Sequence, residues 1–168
     1  MWTEKVDLHS HSFHSDGMFS PSEMARRAHQ NGVKVWSLTD HDTVNGWIEA
    51  ELECNKLGIR FVPGVEITCE VEIKSDELNP SSWHLLAYFP NGCNPDFKKW
   101  LDQQKDARIP RMMAMIRALG EMGVDVDYEE VSELAEGSVG RPHLARVLMS
   151  KGIVNSIDEA FEELIGDN

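Results

Sequence analysis

With 168 residues, 41% of them hydrophobic, the chain is long enough for one ordinary domain with a packed core, which excludes general disorder. Its net charge of −13 excludes nucleic-acid binding through a broadly basic surface. A phosphate-bearing substrate stays compatible with this charge, because bound metal ions would add positive charge that the formal count omits.

The first half of the chain alternates strand and helix patterns. Residues 5–11 alternate apolar and polar side chains, which predicts a strand with His9 and His11 on the same face. A capping box at Ser20 opens a helix, and the apolar, β-branched run 33–39 predicts a buried strand after it. Strands and helices in this order with short connections predict an α/β fold built on a parallel sheet or barrel.

The same pattern continues through a second helix and three further extended segments. The helix covers residues 43–57, and a short strand covers residues 59–62. Residues 65–73 and 83–89 have extended character on either side of a polar loop, which predicts a hairpin.

After residue 92 the pattern becomes helical throughout. A helix opens at Pro95 and is broken or restarted by Pro110. Three further helices begin at Asp127, Pro142 and Ser156. We therefore divide the chain into residues 1–92, which hold the strands, and residues 93–168, which are helical.

The cysteines and the first residues of the chain indicate its compartment. Cys54, Cys69 and Cys93 are odd in number and lack Cys-x-x-Cys spacing. The amino terminus lacks the pattern of a secretory signal, and no apolar segment has membrane-spanning length. We expect a cytoplasmic protein with reduced thiols and no membrane partner.

Histidine and carboxylate side chains gather at the predicted strand ends. In parallel α/β folds the loops beyond the carboxyl ends of the strands meet at one rim, and the hairpin would bring Glu66 close to His84. The rim would carry four imidazoles and two carboxylates: His9, His11, Asp16, His41, Glu66 and His84. Each residue alone could be an ordinary surface side chain, but together they suit Mn²⁺, Zn²⁺ or Fe²⁺. Asp7, Asp40 and Asp42 are expected to orient these imidazoles or to cap the local backbone, and Asp7 could equally pair with an arginine.

Taken together, these motifs resemble the PHP (polymerase and histidinol phosphatase) domain family, and in particular its TrpH-like phosphoesterase branch. The residues that carry the resemblance are Asp7-Leu8-His9-Ser10-His11, Ser15-Asp16-Gly17, Thr39-Asp40-His41-Asp42, Pro63-Gly64-Val65-Glu66, His84-Leu85-Leu86 and Gly140-Arg141-Pro142-His143. They occur in the family order and extend over most of the chain.

The resemblance implies a fold and a set of metal ligands. Residues 1–92 would be the N-terminal part of a distorted seven-stranded βα barrel, and residues 93–168 a helical insertion subdomain. The barrel would hold up to three divalent ions, Mn²⁺, Fe²⁺ or Zn²⁺. The family pattern gives three ligand groups: His9, His11 and Glu66 for one ion, Glu66 and His84 for a second, and Asp16 with His41 for the third.

The resemblance also implies hydrolysis of phosphate esters of nucleotides, such as nucleoside 3′,5′-bisphosphates, or trimming of short RNA from its 5′ end. The nucleophile would be a metal-activated water. Because guanidinium groups suit phosphate, Arg141 is the first candidate for substrate binding, followed by Arg108 and Arg111. A solvated face of a basic helix is the alternative for those two. His143 either contacts substrate or begins a helix.

The family pattern continues further than this chain does. In the family the last strands carry another His and an Asp-x-His pair, and the chain has no counterpart of them. We expect this chain to be part of a longer enzyme, or a degenerate protein. A third alternative is that another copy or partner completes it by pairing with an open sheet edge. The alternative functions are an amidohydrolase-like metal hydrolase and a non-catalytic metal-binding module.

Overall fold

The first half of the molecule is built on a parallel sheet followed by an antiparallel hairpin. The computed structural model describes residues 5–71, 81–135 and 137–166. Its strands are β1 (Lys5–Asp7), β2 (Val33–Trp36), β3 (Arg60–Phe61), β4 (Gly64–Val71) and β5 (Ser81–Tyr88). β1, β2 and β3 pair in parallel in that order, and β4 pairs antiparallel with β5. The predicted α/β class and the predicted hairpin are confirmed.

β1 is shorter than the sequence predicts. The strand expected over residues 5–11 ends at Asp7, because the Asp7 carboxylate accepts a hydrogen bond from the His9 backbone N–H at 3.3 Å. β2, expected to reach residue 39, ends at Trp36. The segments beyond still run side by side, since Thr39 N donates to the backbone oxygen of Ser10 at 2.8 Å. His9 therefore lies on a loop rather than on a strand.

Two helices cover the parallel sheet. In α1 (Pro21–Gln30) the Ser20 hydroxyl accepts a hydrogen bond from Glu23 N at 3.1 Å, so the predicted cap is confirmed. α2 (Trp47–Leu57) starts later than the predicted residue 43. The two helices bury their inner faces against β2 in a shared core of Ala25, Ala28, Val33, Trp36, Leu38, Ala50, Cys54 and Ile59.

The second half is helical, as predicted. Its elements are α3 (Pro95–Glu121), α4 (Tyr128–Ser132), α5 (Arg141–Ser150), α6 (Ile157–Ala160) and a π-helical turn (Phe161–Ile165). Of the helices in the described residues, none is long and apolar enough to cross a membrane.

α3 runs through Pro110, so the predicted break is wrong. Proline in a helix interior removes a backbone hydrogen bond and costs about 3 kcal/mol. Leu101 and Met112, both 1% exposed, anchor the helix on either side of Pro110 and offset that cost by burial.

The long helix α3 belongs to two cores. Its first turns place Phe97 and Leu101 against Val65 and Ile67 of the hairpin. Its later turns pack with α4, α5 and the π-helical turn around Leu119. The division at residue 92 stays a prediction, since α3 shares apolar contacts with both parts.

Candidate metal centre and adjoining cavity

The carboxylate of Glu66 lies among four imidazoles. Its Oε2 atom is 2.9 Å from His9 Nε2, 3.0 Å from His11 Nε2 and 3.7 Å from His41 Nδ1. Its Oε1 atom is 2.9 Å from His84 Nδ1. The two oxygens of one buried side chain therefore face two different sets of nitrogen atoms, so Glu66 could be a ligand in more than one metal site.

The sheet and the hairpin bring these side chains together. The loop after β2 runs parallel to β4, with Asp42 N donating to the backbone oxygen of Glu66 at 2.9 Å, and this places His41 beside Glu66. In the hairpin, Glu66 pairs with Leu86, so His84 is its diagonal neighbour on the same face. The predicted approach of Glu66 to His84 is explained by this register.

Asp16 approaches the cluster from the loop after β1. Its two carboxylate oxygens are each 3.4 Å from an imidazole nitrogen, one on His11 and the other on His41. Asp40 holds this loop, because its carboxylate accepts hydrogen bonds from Ser12 N and Oγ at 2.6 Å and from Ser15 Oγ at 2.7 Å. Asp40 is therefore bonded to the loop that carries Asp16, and its orienting effect on the imidazoles stays a prediction.

The donor atoms fit a centre for divalent ions. In three groups, the ligand atoms lie within 4.8 Å of one another: His9, His11 and Glu66; His11, Asp16 and His41; and His41, Glu66 and His84. Imidazole nitrogen combined with carboxylate oxygen suits Mn²⁺, Fe²⁺ and Zn²⁺. His41 Nδ1 is buried without a hydrogen-bond partner among the described residues, and an ion would satisfy its lone pair.

The imidazoles keep both carboxylates ionised. Burial raises the pKa of Glu66, but hydrogen bonds from His11 and His9 and the charge of His41 outweigh it and bring the pKa to about 2. Burial opposes ionisation of Asp16 as well, yet the hydrogen bond and charge of His41 hold its pKa well below the usual value. Two anionic ligands are therefore present at neutral pH.

A cavity of about 550 Å³ adjoins this cluster. Asp16, His41 and His84 line it together with residues of α3, α5 and the π-helical turn. These three elements contribute three guanidinium groups and several apolar side chains: Arg108, Arg111, Arg141, Met112, Met115, Pro142 and Phe161. The Arg141 guanidinium carbon is 5.5 Å from the centre of the Phe161 ring. A ligand in this cavity could therefore reach both the candidate metal ligands and the guanidinium groups.

The four residues expected to bind substrate have different surroundings. Arg111 and Arg141 line the cavity, as does Arg108, whose Nε also donates to Asp42 at 2.6 Å. His143 is 1% exposed, and its Nδ1 accepts a hydrogen bond from Gly140 N at 3.1 Å. This contact lies at the start of α5 and corresponds to one of the two roles considered for His143, that of a residue that begins a helix.

Two long-range contacts at the site have no signal in the sequence. Asp42 pairs with Arg108, which lies 66 residues away. Arg146 donates from Nη2 to the backbone oxygen of Asp16 at 2.8 Å, over 130 residues. Asp7 accepts a hydrogen bond from His9 N, which is the backbone role among the three roles considered for it.

Known proteins are similar to this chain in sequence and in fold. A 5′-3′ exoribonuclease from Haemophilus influenzae is 35% identical over 164 residues, which cover 98% of this chain and 57% of that protein. A 3′,5′-nucleoside bisphosphate phosphatase from Chromobacterium violaceum is 26% identical over 167 residues, which cover 95% of this chain and 54% of that protein.

The solved structure of a predicted metal-dependent phosphoesterase from Bifidobacterium adolescentis has a TM-score of 0.84 at 25% identity, covering 99% of this chain and 57% of that one. The chain thus spans little more than half the length of these relatives. The family model described as PHP domain matches residues 7–93, which include the whole cluster around Glu66. By this match and by the geometry of its histidines and carboxylates, the chain belongs to the PHP domain family.

Proposed function

We propose that this chain is the metal-binding part of a phosphoesterase that hydrolyses phosphate esters of nucleotides or short oligonucleotides. The observation that carries the proposal is the cavity, which Arg111 and Arg141 line together with Asp16, His41 and His84 of the histidine and carboxylate cluster. With divalent ions bound at the cluster, a phosphate in this cavity would contact positive charge from the ions and from the guanidinium groups. The names of the exoribonuclease and bisphosphate phosphatase relatives support this substrate class.

The residues of the chain prepare the site for this chemistry. Divalent ions, when bound, supply Lewis acidity toward a phosphate ester and acidify water. Glu66 and Asp16 provide anionic oxygens that hold and neutralise those ions. Arg111 and Arg141 would orient the ester, and the Phe161 ring offers an apolar surface for a base.

Release of inorganic phosphate from a nucleoside 3′,5′-bisphosphate in the presence of Mn²⁺ tests the proposal. We expect the chain to release phosphate, and we expect Asp16→Ala and His9→Ala to lower the rate at least about 100-fold by removing metal ligands. His29→Ala is the matched control, because His29 is exposed on α1. Equal rates for the chain and both ligand variants would contradict the proposal.

The same assay separates the alternative functions. Hydrolysis of an N-acyl amino acid without phosphate release would favour an amidohydrolase-like enzyme. Tight Mn²⁺ binding with no turnover of either substrate would favour a non-catalytic module. A short RNA with a 5′-phosphate, tested in parallel, separates an exonuclease from a phosphatase by whether mononucleotides or inorganic phosphate are released.

A further inference from the structure

We propose that Arg108 is a positioning residue of the metal centre, which holds His41 and Glu66 in place through Asp42, and is not a contact for the substrate phosphate. The inference rests on the metal centre of the proposed function. Its main readout is metal affinity, which requires no turnover.

Asp42 has an unusual backbone and a fully buried side chain. Its φ of 52° makes it the one non-glycine residue with positive φ among residues 5–71, 81–135 and 137–166. Its carboxylate is 0% exposed and accepts hydrogen bonds from Thr68 N and Thr68 Oγ1, both at 2.8 Å. Left-handed backbone is unfavourable for aspartate and persists where surrounding contacts determine it. The contacts to Thr68 are such contacts, and they attach the loop that carries His41 to β4.

Arg108 supplies the positive charge that a buried carboxylate requires. Its Nε atom donates to Asp42 Oδ2 at 2.6 Å, and its Nη2 atom donates to Thr68 Oγ1. Its Nη1 atom donates to the backbone oxygen of Val139 at 3.4 Å. The edge of the guanidinium formed by Nε and Nη2, which would bind a phosphate in a forked manner, is therefore already used within the protein.

This network adjoins two of the proposed metal ligands. Asp42 follows His41 directly, and Asp42 N donates to the backbone oxygen of Glu66 at 2.9 Å. His41 takes part in two of the three candidate ligand groups, and Glu66 also takes part in two. Without Arg108, the Asp42 carboxylate would be buried without its cation, and the turn would rearrange to expose it. Both ligands would then lose their positions.

Isothermal titration calorimetry, in which Mn²⁺ is titrated into the metal-free chain, tests this inference. We expect Arg108→Ala to raise the Kd for Mn²⁺ about 10- to 100-fold, the range for residues that orient metal ligands. Asp42→Asn should have a similar effect, and the double variant should lose little more than either single one, because both changes remove one interaction. Arg108→Lys keeps the charge and should recover part of the affinity.

Arg111→Ala is the matched control, because Arg111 lies one helical turn further along the same cavity wall. We expect it to leave the Kd for Mn²⁺ within about 2-fold and to raise KM for the nucleoside bisphosphate. Arg108→Ala with an unchanged Kd and a raised KM would overturn the inference and make Arg108 a substrate contact.

Two further measurements keep the test decisive. Circular dichroism of the metal-free variants checks folding. Thr68→Val, which replaces the hydroxyl with a methyl group and keeps the backbone contact of Thr68 N, should raise the Kd by a smaller factor than Arg108→Ala. Absence of Mn²⁺ binding by the unaltered chain would overturn both this inference and the proposed metal centre. Normal Mn²⁺ binding that depends on Arg108, without phosphate release, would support this inference while rejecting the proposed function.

Discussion

The imidazoles around Glu66 titrate differently because they face different neighbours. Burial lowers the pKa of His11, but the hydrogen bond to Glu66 and the charge of Asp16 outweigh it and raise the pKa above its ordinary 6.5. Burial lowers the pKa of His84 too, and the charge of His41 lowers it further. In the metal-free protein, His11 therefore keeps its proton at a pH where His84 has lost it.

We expect the Mn²⁺ affinity to fall as the pH is lowered through the pKa of His11, which lies above its ordinary value of 6.5. A protonated imidazole has no lone pair for a metal, so binding must displace that proton. Affinity should be constant above this pKa and decrease below it, and calorimetry in buffers of different ionisation enthalpy should detect the released proton. In a His11→Asn variant the decrease should begin at a lower pH. Constant affinity between about pH 8 and pH 6 would contradict this assignment.

At the scale of elements, the loop that carries Asp16 is held from two sides. The Asp40 carboxylate fixes it to the loop after β2, and Arg146 of α5 donates to its backbone at 2.8 Å. Gly137 lies against the same loop, so closely that an added Cβ atom would overlap the backbone oxygen of His14. The helical half therefore contributes to the position of Asp16 by close backbone packing.

Replacing Gly137 with alanine should disturb this contact. We expect Gly137→Ala to destabilise the protein by about 1–3 kcal/mol, the usual cost of an overpacked site, and to lower the metal content per chain because Asp16 moves. Thermal unfolding and elemental analysis measure the two effects. Gly120→Ala is the control, since Gly120 lies in the last turn of α3 and a Cβ there meets nothing within 4 Å. Equal stability and metal content of the two variants would contradict the prediction.

At the scale of the whole molecule, the sequence predicts contacts between residues that are close in the chain and fails to predict contacts between residues that are far apart in it. The cap at Ser20 and the hairpin follow from local patterns, and both form. The strand expected over residues 5–11 was too long, because alternation does not reveal that Asp7 captures the His9 N–H. The link from Asp42 to Arg108 joins residues 66 apart and depends on how the two halves pack, so no local pattern contains it.

α3 packs into two cores, and Arg108 on α3 binds Asp42 in the first half of the chain. We therefore predict that the two halves unfold together. We expect one cooperative transition in scanning calorimetry, shifted upward as a whole by Mn²⁺. Free Mn²⁺ at about 1,000 times Kd stabilises the native state by about 4 kcal/mol, or roughly 10 °C for a domain of this size. Chelation with EDTA should reverse the shift, and Glu66→Gln should lose most of it because Glu66 takes part in two ligand groups. Two transitions, of which only one responds to Mn²⁺, would contradict the prediction and favour independent units at residues 1–92 and 93–168.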